Sequence, residues 1–491
     1  MASGYEYLDL TTAQKHARRA LLDQSGYSVL LTQLLLLGLY HLLPHLPCPT
    51  PVRRLNALLT TPLHLRKPEY RTARDWLLIT AYTLWCLYLS ARHTHPDYLH
   101  LTKSLGHVAA ANLPLHFLLA TKHLFPALLH TSYDRLTFAH GWTGRIITLL
   151  MSAHVALYLS FFYDTNRMGT RFWETDVQCG VWGFVLWITI ATVALPKVRR
   201  WSYRLFFAVH VWAPVVMPLL VWHVEHLRVY VYAAGAVWGV DTVWRWRRRV
   251  SGEARVVVAA EGLVVLEVAL ENKWIGKAGG HVRLKIPEVS KVHSNPFTVA
   301  AVTPGGVRLV ARVREGVTRV LAGKREVAVV LEGPYGGGMS EGWDRMLVVA
   351  GGVGGTFCVP MVAEALKTRA AEGVRFIWVV KTVEDCRWGL DDEKVAKTVE
   401  VYITGKKEED GGLELEDEGA VKKLAALGVA KDRVHVGRPD LKGAVHELGM
   451  EQGRKEVVCC GPVEMGIALK THVARLQRAV PVTLHVEEFG N

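Results

Sequence analysis

Two apolar stretches decide how this chain is read: HGWTGRIITLLMSAH, residues 140–154, and HVWAPVVMPLLVWH, residues 210–223. Each begins and ends on a histidine. On an α-helix the fourteen steps from His140 to His154 rise about 21 Å and return to within about 40° of the starting direction, so both imidazoles share one face. The thirteen steps from His210 to His223 overshoot by roughly 140°, and that ladder requires a local distortion. Pro214 and Pro218 lie between its histidines and supply one, because proline removes a helix hydrogen bond and kinks the axis. Side by side, two such helices offer two histidine pairs separated by most of a ~30 Å hydrocarbon core. Neutral imidazole is an ordinary axial ligand of haem iron, so each pair is suited to clamp one haem. Packing is the competing reading. With 22 histidines in the chain some fall at any spacing, and His107, His116, His123 and His130 have no evident ladder.

Half of the 491 residues are hydrophobic although 21% are charged, and the mean hydropathy is positive. The apolar surplus sits in the first half and the charge mainly in the second. A membrane domain followed by a soluble one is expected. The net charge of +13 comes largely from runs such as PVRR, KVRRWSYR and RWRRR that flank apolar segments. Membrane flanks explain them, and nucleic acid is not an expected partner. Seven cysteines are scattered without zinc-like spacing or a disulfide framework. The amino terminus lacks the pattern of a cleaved signal, so the first span is expected to act as a signal anchor.

Apolar stretches at 27–46, 75–91, 104–122, 138–162, 178–195, 203–223 and 229–244 predict seven spans. With the carboxyl-terminal half in the cytosol, sixteen Lys and Arg residues fall in inside segments and eight outside. Both histidine helices then run outward, with His140 and His210 at the inner level and His154 and His223 at the outer. Arg145, one turn above His140, is a candidate partner for a haem propionate or a side chain snorkelling inward.

Beyond residue 249 the texture changes to short β-rich runs, RVVVAA, LVVLEVAL, HVRLKI, VRLVARV and EVAVVLEG, as in a small antiparallel barrel. From about 345 it becomes strand–loop–helix. Gly351, Gly352, Gly354 and Gly355 follow a strand and open a helix, a setting in which backbone N–H groups receive a pyrophosphate. Expected domains are 1–100 with two spans, 101–249 as the membrane core, 250–340 as the barrel and 341–491 as the α/β domain. The charged stretch KKEEDGGLELEDEG (406–419) reads as a disordered insertion.

The histidine ladders, then LVAR…GVT, EGPYG, AGGVGGT, GRPD, CCGP and the terminal EEFG occur in that order. In this series the chain resembles the fungal ferric-chelate reductases and, more broadly, the superfamily they share with NADPH oxidases. The resemblance implies a multi-domain membrane protein: an α-helical haem-binding bundle, an antiparallel FAD-binding β-barrel and a ferredoxin-reductase-like α/β nucleotide domain. It implies two b-type haems, one held by His140 and His210 and the other by His154 and His223. Pro296, Phe297 and Thr298 match the family's flavin motif His-Pro-Phe-Thr, with Asn295 in place of the histidine and His293 two residues earlier. Gly316 and Thr318 would lie near the flavin pyrophosphate, and Gly351, Gly352, Gly354, Gly355 and Thr356 near that of the nucleotide. Cys460, Gly461 and Pro462 would face the nicotinamide, and Phe489 would cover the flavin ring. Arg438, with Lys381 as second candidate, would pair with a ribose 2′-phosphate, which favours NADPH over NADH. The implied activity is electron transfer from cytosolic NADPH across a membrane, expected to be the plasma membrane, to a ferric chelate. The alternatives are a superoxide-generating oxidase using dioxygen, and a non-catalytic seven-span receptor or transporter.

Overall fold

The computed structural model describes residues 4–42, 59, 72–122, 133–260, 262–270, 279–290, 294–336, 342–368, 371–405 and 414–488. The chain divides into two compact units, Met1–Pro47 with Asp75–Trp244, and Cys48–Arg74 with Arg245–Asn491.

The first unit is helical. Its helices are α1 (Thr12–Leu42), α2 (Ala73–Ala91), α3 (Tyr98–Ala111), α4 (Leu113–Leu119), α5 (Tyr133–Asp164), α6 (Thr175–Val193), α7 (Pro196–Trp201), α8 (Tyr203–His210), α9 (Val216–His223) and α10 (Arg228–Arg247). Every stretch expected to span is helical over most of its described residues. Four have the length and apolar composition to cross a membrane: Thr12–Leu39, Leu136–Asp164, Thr175–Val193 and Tyr203–His223. The stretch expected at 104–122 is divided at Asn112, which ends α3 and starts α4. There the Asn112 amide donates to the Val108 carbonyl at 2.8 Å and its oxygen accepts from Tyr82 Oη at 2.7 Å. α2 and α10 are rich in Trp, Tyr and Thr or charge, which lowers their hydropathy. The first helix begins at Thr12, well before the apolar run expected from residue 27, because its polar first turns continue the same helix.

The second unit opens with a closed barrel. Its strands are β1 (Arg249–Ala260), β2 (Leu263–Leu270), β3 (His281–Lys285), β4 (Asn295–Thr303), β5 (Gly306–Arg312) and, after α11 (Val317–Ala322), β6 (Glu326–Tyr335). The order is β1-β2-β5-β4-β3-β6, and β6 pairs back onto β1. These pairings are antiparallel, and closure removes the free sheet edge. Inward residues such as Val264, Leu266, Val282, Leu284, Phe297 and Leu309 fill the interior.

A parallel six-stranded sheet follows, in the order β10-β9-β8-β7-β11-β12. It consists of β7 (Arg345–Gly351), α12 (Gly355–Thr368), β8 (Val374–Val380), α13 (Glu393–Thr398), β9 (Val399–Ile403), α14 (Glu414–Ala425), β10 (Val434–Val436), α15 (Leu441–Met450), β11 (Lys455–Gly461), α16 (Val463–Leu476) and β12 (Val482–Glu488). Barrel and sheet share one core, in which Leu263, Val265, Ala300 and Val310 join Phe357, Met361 and Trp378. Helix α14 corrects the expectation that the whole of 406–419 is disordered: Glu414 to Gly419 are helical, while 406–413 lie outside the described residues.

Candidate functional site

One continuous helix, α5, carries His140 and His154. The opposing ladder is broken as its spacing requires. α8 ends on His210, a 3-10 turn runs Ala213–Val215 through Pro214, and α9 ends on His223. Pro218 sits in the first turn of α9, where a missing N–H removes no helix bond. The break re-aims the second half, and the four rings meet in two pairs. His140 and His210 have ring centroids 6.0 Å apart at 82°. His154 and His223 are 6.4 Å apart at 85°.

Those separations test the fit to a metal. Two imidazoles on one ion, each with a metal–nitrogen bond of about 2 Å, place their ring centres roughly 6 Å apart. Both pairs meet that condition. The ring nitrogens are also prepared for it. His154 Nδ1 donates to the Thr102 carbonyl at 2.7 Å, His223 Nδ1 to that of Asp176 at 2.7 Å, and His140 Nδ1 to that of His116 at 3.0 Å. A carbonyl only accepts, so Nδ1 holds the proton and Nε2 keeps the lone pair a metal needs. His210 is the exception: its Nδ1 is buried without a hydrogen-bond partner among the described residues.

Glycines make room for the rings. A Cβ on Gly106 would lie 2.8 Å from the His154 ring, and one on Gly180 would lie 2.5 Å from that of His223. Neither glycine stands out in the sequence, because their role is visible only across helices. His116, one of the histidines outside either ladder, is buried against His140. Arg145 is exposed and lies over the Trp142 ring, 4.5 Å from its centre.

On the barrel, Pro296, Phe297 and Thr298 open β4, and the strand period separates them. Phe297 is buried in the barrel interior, while Pro296 is exposed and Thr298 half-buried on the opposite face. His281 is the cross-strand neighbour of Thr298 and Arg283 that of Pro296. The His281 ring lies 5.6 Å from that of Tyr335, and burial lowers its pKa below the ordinary imidazole value. Gly316 has φ +95°, a left-handed conformation that glycine adopts without strain, and precedes α11. The Thr318 hydroxyl accepts from Arg314 N–H at 2.8 Å and holds that turn. His293 and Phe489 lie outside the described residues.

In the parallel sheet β7 is flanked by β8 and β11, and the chain reverses its direction of winding between β7 and β11. Ligands of open α/β sheets bind at the carboxyl ends of the strands at such a switch point. Gly351–Gly355 and Cys460–Pro462 both lie there, and the two loops touch. A Cβ on Gly354 would lie 2.0 Å from the Cys460 carbonyl oxygen, and one on Gly351 2.5 Å from Pro462 Cδ. Gly355 lies against the Trp378 ring in the same way. These glycines therefore serve strand and helix packing. Thr356 is buried and donates to the Val353 carbonyl at 2.8 Å. Cys460 is buried opposite Glu487, and burial pushes its thiol well above the usual range, so it stays protonated. Arg438 follows β10 and Lys381 follows β8, both exposed at the same carboxyl edge.

Family models match this order of parts. A ferric reductase like transmembrane component covers residues 105–221, an FAD-binding domain 249–338, and a ferric reductase NAD binding domain 343–474. The chain carries the domains of the ferric reductase family. Among similar proteins, ferric reductase transmembrane component 4 of Saccharomyces cerevisiae is 26% identical over 426 residues, covering 73% of this chain and 58% of that protein. The probable cell surface ferric reductase kap2 of Aspergillus oryzae is 24% identical, covering 60% of this chain and 45% of its own. The chain thus spans about half the length of these ferric reductases. Among solved structures, the cytochrome b5 reductase domain of Ulva prolifera nitrate reductase is 17% identical with a TM-score of 0.35, covering 50% of this chain and 98% of that one.

Proposed function

We propose that the protein transfers electrons from NADPH across a membrane to a ferric chelate, through FAD and two b-type haems. The paired histidines support this reading most directly: two imidazole pairs at metal-spanning separation, one ring of each carried by a single helix that sets the two levels about 21 Å apart. Bound here, FAD would supply the exchange of a two-electron hydride for single electrons, and haem iron would supply one-electron carriage. The protein's part is to hold and orient. His140 with His210, and His154 with His223, would hold the irons, with Nε2 left open on His140, His154 and His223. Pro296 and Thr298 face the flavin, with Gly316 and Thr318 beside its pyrophosphate. Gly351, Gly352, Gly354, Gly355 and Thr356 admit the nucleotide, and Cys460, Gly461 and Pro462 border the nicotinamide. Arg438, with Lys381 nearby, pairs with the 2′-phosphate. The carboxyl-terminal domains face the cytosol and the outer pair faces the acceptor at the plasma membrane.

The test uses purified protein in detergent with FAD added. NADPH is supplied under argon and the haem spectrum recorded, then a ferric chelate or air is admitted separately. Haem reduction reversed quickly by the chelate and slowly by oxygen is expected. Fast reoxidation by oxygen with superoxide formed makes the protein an oxidase instead, and absence of a haem band overturns both readings.

A further inference from the structure

The 140/210 pair contains a third histidine that the electron path above does not use. His116, on α4, lies face to face with His140, the ring centroids 4.1 Å apart and the planes within 18°. The two residues are tied in both directions. His140 Nδ1 donates to the His116 carbonyl at 3.0 Å, and His116 Nδ1 lies 2.9 Å from Thr143 Oγ1 on the helix of His140. The Thr143 hydroxyl proton is committed to the His140 carbonyl at 3.0 Å. Its oxygen must then accept from His116, which places the His116 proton on Nδ1. The remaining sides are closed by Trp187, 5.6 Å from the ring centre, and by Gly144, where a Cβ would come within 3.1 Å of His116 Cε1. The 154/223 pair has no such support among the described residues. There Tyr158 meets His154 edge-on at 5.0 Å.

We propose that His116 is a positioning residue for the 140/210 haem site, clamping the His140 ring in one orientation about its metal–nitrogen bond. The proposal rests on the haem-binding reading above. Partners outside the coordination sphere orient a ligand ring and tune its metal. The angle of an imidazole plane governs its π overlap with iron, which is read in the g values of low-spin ferric haem and in its midpoint potential. His116 therefore distinguishes one haem from the other without touching either iron.

The experiment compares the full-length protein with His116→Phe, which keeps a stacking ring but loses the bond to Thr143, and with Thr143→Val, which removes only the acceptor. Haem per chain is counted, low-spin EPR spectra are recorded, and both midpoint potentials are titrated. Two haems per chain with one g set and one potential shifted, the other pair unchanged, is the expected result, as is loss of one haem alone. Two haems with both g sets and both potentials unchanged in His116→Phe overturns the proposal. If His116→Phe loses both haems, the chain has misfolded and Thr143→Val decides by the same readings. A wild-type protein without haem instead overturns the parent reading.

Discussion

The two histidine pairs share one geometry and differ in what stands behind it. At the 154/223 pair both Nδ1 atoms donate to backbone carbonyls of neighbouring helices, and glycines clear the space for both rings. At the 140/210 pair one ring is anchored twice, by a carbonyl and by a stacked imidazole, while the Nδ1 of the other has no hydrogen-bond partner among the described residues. Hydrogen bonding at Nδ1 raises ligand basicity and fixes the ring. Equal ring separations therefore do not imply equal sites. One is held evenly by main chain, the other unevenly, with main chain and a stacked side chain both acting on His140.

The strongest way to break this comparison is to delete a ligand. His140→Ala and His154→Ala should each lower the haem count from two to one and abolish transfer to the ferric chelate, measured by haemochrome content and chelate reduction. Full haem content in both variants would refute the pairing. A glycine change sharpens it. Gly180→Ala places a methyl group 2.5 Å from His223, whereas Gly144→Ala approaches His116 at only 3.1 Å. Overpacking costs about 1–3 kcal/mol, so Gly180→Ala should disturb the 154/223 haem spectrum and thermal stability more than Gly144→Ala disturbs the other site. Equal effects would mean the rings are not confined as described. Gly354→Val serves as the control outside the membrane domain. It drives a side chain against the Cys460 carbonyl and should weaken NADPH binding about tenfold or more while leaving both haem spectra intact. The smallest effect is expected from Arg438→Ala. Without the charge-assisted hydrogen bond to the 2′-phosphate, the preference for NADPH over NADH should fall about tenfold, read from the two KM values.

What could be read from the sequence follows from where each signal is written. Histidine spacing along α5 is a property of one helix, and it places His140 and His154 on one face. The out-of-phase spacing of His210 and His223 demands a break, which occurs at Ala213–Val215. Alternating β-rich runs mark five of the six barrel strands, and the sixth is β4, which carries Pro296, Phe297 and Thr298. Gly106, Gly180 and His116 are not legible, because each acts on a ring of another helix and leaves no periodic trace. The helix at Glu414–Ala425 is hidden by its charge, which resembles that of a chain without a core. Compositional counting favours seven spans, whereas the described helices with span-like composition number four, since aromatic and threonine-rich helices pack without being strongly apolar.

The unbroken helix Tyr133–Asp164 and the interrupted ladder facing it divide a mechanical task. The first acts as a ruler: its unbroken turns set the rise between the levels of His140 and His154. The second acts as a slip joint, in which each short helix adjusts to its own level without dragging the other. The Ala213–Val215 turn separates the two halves, so each ring is oriented by its own short helix. On the proposed electron path this keeps the tunnelling distance set by one helix while each level is shaped by its own short helix.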